Sequence, residues 1–75
     1  MDLDPHRFFL QWYGDSQCLI EQHRGILCFT LREIRFLTEQ GVLSVCGEDL
    51  ILEQMTVSRA KIGGKITSVV LEAKS

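Results

Sequence analysis

ILCFTLRE (26–33), IRFLTEQG (34–41), VLSVCGED (42–49), LILEQMTV (50–57), SRAKIGGK (58–65) and ITSVVL (66–71) divide the chain from Ile26 into successive blocks of eight, the last cut short. Each block holds a run of apolar or β-favouring residues, then two or three turn-prone or charged ones. Short strands spaced about 8–12 residues apart, with turn signals between them, read as a meander, a sandwich or a small barrel. Within the blocks the alternation assigns faces. Ile34 and Phe36 share one face, with Arg35 opposite. Leu43 and Val45 lie opposite Ser44 and Cys46, and Leu50 and Leu52 lie in phase with Ile51 between them. Ala60, Ile62, Gly64 and Ile66 alternate with Arg59, Lys61 and Lys65, which is the clearest strand signal in the chain.

The second face is not uniformly polar, because Leu27, Phe29, Leu37, Ile51 and Val70 fall on it. Two explanations stand. A second sheet of the same chain buries them, or they form an apolar interaction surface. Gly63-Gly64 permits a tight turn or a bulge. It lacks the Lys-Ser/Thr pair and the following helix of a phosphate-cradling loop.

Toward the N-terminus, Glu21-Gln-His-Arg-Gly25 reads as a turn or bulge ahead of Ile26. Gln17–Ile20 reads as the return strand of a hairpin whose first strand is Phe8–Tyr13 and whose turn is Gly14-Asp15-Ser16. A helix through residues 6–13 is the competing reading. Pro5 disfavours helix at Asp4, so residues 1–7 form a lead-in. The β domain covers residues 8–71 and the C-terminal tail residues 72–75.

The chain has 75 residues, enough for one domain, and one this small buries only about 60–65% of its unfolded surface. Disulfides, a metal or oligomerisation are the usual supplements. Net charge is −2, which provides no electrostatic reason to expect nucleic acid or an anionic membrane. Cys18, Cys28 and Cys46 are odd in number and none is in CxxC spacing, so free thiols in the reducing cytoplasm are expected. No apolar run approaches the about 20 residues that span a bilayer, so direct membrane insertion is not expected. The opening Met-Asp-Leu-Asp-Pro5 lacks the basic and apolar regions of a signal peptide.

Chemistry-bearing residues are sparse. His6 and His23 have no ligand-spaced companions, and His23 reads as a surface turn residue able to pair with Glu21. Cys28 lies between Leu27 and Phe29 in a strand, not in the exposed, activated setting of a nucleophile. Glu48-Asp49 are neighbours on one turn, whereas acid/base pairs converge from separate elements. Arg32, Arg35, Arg59, Lys61 and Lys65 could form the basic stripe of a small barrel that binds single strands, but the aromatics do not interleave with them. No catalytic, cofactor or metal residue is nominated, and an enzyme is not expected.

One resemblance gives these features a context. Gly14-Asp-Ser-Gln-Cys-Leu-Ile-Glu-Gln-His-Arg-Gly-Ile26 is similar to the G-N-x-x-x-x-I-E-N-H-x-G-I segment of the YabP/YqfC sporulation proteins, and is closest to the YqfC branch. Ile34-Arg35, then Thr38-x-x-Gly41-x-Leu43-x-Val45-x-Gly47-Glu-x-Leu50, and finally Gly64-Lys-Ile-x-Ser-Val69 resemble the family's later motifs at matching spacing. Asp15, Gln22 and Asp49 stand where the family tends to have Asn, and Cys46 replaces a polar residue. The resemblance implies a small cytoplasmic protein made during endospore formation, non-enzymatic, with a sporulation membrane protein as partner. Self-association is expected from the small core and the surplus apolar face.

The expected fold is therefore all-β, a small antiparallel sandwich or partly open barrel of about 7–8 short strands. A short β-solenoid is the alternative. Hairpin pairing of Ile34 with the 42–46 block would exclude the solenoid. The expected function is a protein-interaction or assembly module of sporulation, with a nucleic-acid-binding β-barrel as the alternative.

Overall fold

A computed structural model describes residues 8–14 and 16–73. The 1–7 lead-in, His6, the Asp15 part of the first turn and residues 74–75 of the tail lie outside the described residues. Six strands run in chain order: β1 (Phe9–Tyr13), β2 (Gln17–Glu21), β3 (Gly25–Phe29), β4 (Glu33–Thr38), β5 (Gly41–Met55) and β6 (Arg59–Ala73). They form one open sheet in the order β1-β2-β6-β5-β4-β3, with every pairing antiparallel. Ile34 pairs with Val45, which excludes the solenoid. The 8–13 segment is strand from Phe9, not helix.

The expected 7–8 short strands become six because two pairs of blocks fuse. The 42–46 and 50–54 blocks form the 15-residue β5, and 58–62 and 66–71 form the 15-residue β6. Gly47-Glu48-Asp49 is therefore not a turn. Between β5 and β6 the register shifts at Cys46/Gly47, at Glu48/Ile51 and at Leu52/Gln54. These shifts act as bulges, which bend a strand and raise its twist without ending it. Gly64 has φ +104° and Asp49 has φ +52°, so the bend occupies backbone conformations that L side chains seldom adopt. β6 also runs on to Ala73, into the region expected as tail.

The bend divides the sheet into two leaves. The first holds β3, β4, β5 to Cys46 and β6 from Ser68. The second holds β1, β2, β6 to Gly63 and β5 from Ile51. One flat layer could not take its apolar face out of water. Here Ile34, Phe36 and Val45 of the first leaf and Cys18, Ile20 and Ile62 of the second are all fully buried in a single cluster. The leaves thus cover each other as a sandwich would, while remaining one hydrogen-bonded sheet. Leu50 and Ile66 belong to the same cluster from the bend, and Leu10, Ile26, Leu52 and Val69 pack around it.

Three hairpins share a device the sequence reading did not anticipate. Thr30, Thr38 and Thr56 each open a turn, and each Oγ1 accepts the backbone N–H two and three residues on. Each hydroxyl also donates to the carbonyl three residues ahead. Local Ser/Thr bonding of this kind replaces ladder bonds that a turn must give up. Thr38 is the buried instance, so its hydroxyl satisfies groups that water does not reach.

Candidate interaction surface

The first leaf's outer face carries Leu37, Val42 and Glu72 in one row, and Arg35, Ser44 and Val70 in the next. Leu27, Phe29, Leu37, Ile51 and Val70 are all exposed, at 55, 50, 39, 56 and 50%. The explanation that a second sheet of this chain buries them is therefore overturned. The reason is the fold-over: a sheet bent at its middle has one inner face, and both leaves use their Ile34/Ile62 phase to fill it. The opposite phase, with Leu37, Ile51 and Val70, is left outside; Phe29, after the β3 bulge, stands opposite Ile34 on the inner phase, exposed at the end of the edge strand, where its expected place was the second face.

The backbone is open as well. Among the described residues β1 and β3 stand at the two ends of the strand order, each with no strand on its outer side. β2 accompanies β6 only as far as Gly63, and β4 accompanies β5 only as far as Cys46. Past the bend, each long strand has an unpaired side among the described residues. Such edges present a row of N–H and C=O groups able to accept another strand.

The basic residues do not assemble into one stripe. Arg24 pairs with Glu39, Arg35 lies 3.7 Å from Glu33, and Arg59 pairs with Glu21 at 2.6 Å. Arg35 is on the first leaf, while Arg59 and Lys61 are on the second. A shallow groove on the second leaf is lined by Tyr13, Gln17, Leu19, Gln54, Arg59 and Lys61. Cys18, its thiol fully buried, also borders the groove, and the described lining residues include no carboxylate or imidazole.

His23 is placed elsewhere than expected. It is buried, not on a surface turn, and Glu21 pairs with Arg59 instead. Gln22 has φ +68°, which turns the chain inward. The imidazole then packs on Phe36 at a centroid distance of 5.3 Å, and Nδ1 accepts the Gly25 N–H at 3.0 Å. The His23 N–H donates to the Ser58 carbonyl of the second leaf, and the Arg24 N–H to the Leu37 carbonyl of the first. His23 is thus a tie between leaves. Glu48 and Asp49 are exposed at the bend beside Leu31 and Arg32. Among the described residues no group of three or more His, Cys, Asp or Glu could hold a metal.

Cys18, Cys28 and Cys46 are free thiols, and Cys18 is fully buried against Ile62 of the next strand. Burial pushes the Cys18 thiol from 9.0 up to about 11. Between these values the unfolded chain loses a proton that the native chain keeps, so native stability falls as pH rises. The contribution is complete below pH 9 and lost through pH 11, a swing of about 2–3 kcal/mol. Urea unfolding of wild type and Cys18→Ala at pH 8 and pH 10.5 checks this. The wild type should lose stability over that interval while the variant, less stable at pH 8, loses distinctly less.

The fold and this surface define a class: a small, open-edged β domain whose distinguishing features are exposed backbone edges and apolar side chains. The profile of the YabP family matches residues 5–75, and the chain belongs to that family. No match is found among curated proteins. No helix among the described residues is long and apolar enough to cross a membrane.

Proposed function

We propose that this chain is a non-enzymatic interaction module of endospore formation that acts in the cytoplasm of the sporulating cell. Within the family the reading takes the YqfC branch, whose motif series this chain resembles. The observation that carries the reading is the exposed apolar phase, Leu27, Leu37 and Val70 above all, on an open-edged sheet of a YabP-family chain. Exposed apolar patches of this kind mark association surfaces in small soluble domains. The partner fitting the reading is a sporulation membrane protein presenting a cytoplasmic segment. The nucleic-acid alternative has less support, because Arg24, Arg35 and Arg59 each lie beside a carboxylate.

The test is quantitative capture with the full chain as bait, from sporulating and from vegetative cells. Enrichment of a membrane protein specific to the sporulating sample is expected. Equal recovery from both samples, or none, would contradict the reading.

A further inference from the structure

Four strand edges are open among the described residues, and they differ in how they are protected. β1 and β3 are only five residues long, and β3 is interrupted by a register shift between Ile26 and Cys28. The free side of β5 beyond Ile51 is broken by the shift at Leu52/Gln54 and carries Glu53. Short length, bulges and charges are the devices that blunt an edge. The β6 edge from Ser68 to Ala73 has neither a bulge nor, before Glu72, a charge: it is regular after the bulge at Thr67 and reads Ser-Val-Val-Leu-Glu-Ala.

The ladder shows which groups this edge offers. The Gly47 N–H donates to the Arg32 carbonyl, on the β4 side of β5. The odd-numbered residues of β5 before the bend therefore turn their backbone groups toward β4, and Val42, Ser44 and Cys46 turn theirs toward β6. Their β6 partners are Glu72, Val70 and Ser68. Val69 and Leu71, of opposite parity, direct N–H and C=O to the open side.

We infer that this edge pairs with the same edge of a second copy, antiparallel, about a two-fold axis at Val70. That centre sets apolar residues against apolar ones and polar against polar. Val69 lies opposite Leu71 of the second copy, twice, as hydrogen-bonded pairs on the inner phase. Val70 meets Val70 on the outer phase, and Ser68 meets Glu72, a hydroxyl against a carboxylate. No two like charges oppose each other. Moving the axis to Leu71 would instead set Val70 against Glu72. The Val70 pair is the non-hydrogen-bonded kind, in which side chains approach most closely, with Cα atoms about 4.5 Å apart. Val70 and Leu71 are half-exposed in the single chain, so both are available. The result is a continuous antiparallel sheet running through both copies. An isologous contact of this kind closes at two and does not propagate.

This inference rests on the reading of the chain as an interaction module, and its test is separable from the capture experiment because it needs only the purified full chain. Light scattering on wild type should give a dimer mass. Val70→Lys and Val70→Glu each place like charges across the axis and should raise the dimer dissociation constant about tenfold or more. Both should keep wild-type circular dichroism, since Val70 points outward. An equal mixture of the two variants sets Lys against Glu and should recover the dimer. A monomeric wild type, variants that dimerise as wild type does, or a mixture that stays monomeric would each overturn the proposal. Capture of a partner would remain a valid test of the wider reading in any of these cases.

Discussion

Gly47→Ala leaves the chain unfolded. Gly47 sits where β5 and β6 cross at the bend. A Cβ there would be driven into the Lys65 carbonyl oxygen, with the carbonyl carbon 2.9 Å and Ile66 Cα 3.1 Å away. All three atoms are backbone, and they lie in the strand that holds both leaves together. No side chain can move aside, so the strands must part along the ladder that pairs Gly47 with Ile66. A chain of this length has roughly 4–11 kcal/mol of stability at typical values per residue. Parting the central pair at the bend costs more than about 4 kcal/mol, among the largest effects of single substitutions. Gly64→Ala belongs with it, because φ is +104° and the added atom meets the Asp49 carbonyl. Cys46→Ala, one residue from Gly47, disturbs no backbone contact and should cost about 1 kcal/mol or less. Circular dichroism and urea titration of the three variants separate these outcomes: two chains without a cooperative transition, and one close to wild type.

Phe36→Ala has the next largest effect. Phe36 is fully buried, lies between Ile26 and Leu43 across its two neighbouring strands, and supports the His23 ring. Its removal takes away packing within the first leaf and the tie to the second. Large-to-small changes of this type cost about 3–5 kcal/mol, depending on how far the site collapses. In a domain of this size each kcal/mol lowers Tm by about 4–8 °C, so a fall of about 12 °C or more is expected. Phe36→Leu keeps most of the volume and should cost distinctly less. Leu71→Ala, at a half-exposed position, should cost about 1 kcal/mol. Thermal and urea unfolding of the three variants should rank them Phe36→Ala, then Phe36→Leu, then Leu71→Ala.

Much of the sheet was legible because one-sided alternation is a local signal. Ile34/Phe36, Leu43/Val45 and Ala60/Ile62/Ile66 all point into the core as their phase required. The fused strands were not legible. Gly-Glu-Asp and Gly-Gly-Lys have the same composition at a turn as at a bulge, and the choice depends on which strand passes beside them. Lys65 stands against Glu48 and Gly63 against Ile51, contacts invisible from either segment alone. His23 was misplaced for a similar reason, since its burial depends on positive φ at Gln22 and on the ring of Phe36, thirteen residues further on. The threonine turns could have been found, because Thr30, Thr38 and Thr56 each stand at the first turn position with a backbone-bonding hydroxyl.

The surface was half legible. Leu27, Leu37 and Val70 were assigned to the second face from phase alone, but whether anything covers that face depends on how many layers the chain makes. Two leaves from one bent sheet make a single core, and Leu27, Leu37 and Val70 stay exposed outside it. Open edges and exposed aliphatic side chains are the features that support the proposed association.

The most direct measurement is the capture experiment repeated with a folded variant whose outer face has been made polar. Leu27→Lys with Leu37→Lys changes two exposed positions and leaves the core and the Val70 edge intact. With this bait, recovery of the sporulation-specific partner should fall to the level of vegetative cells while circular dichroism stays that of wild type. Undiminished recovery by the folded double variant would contradict the claim that this face carries the function.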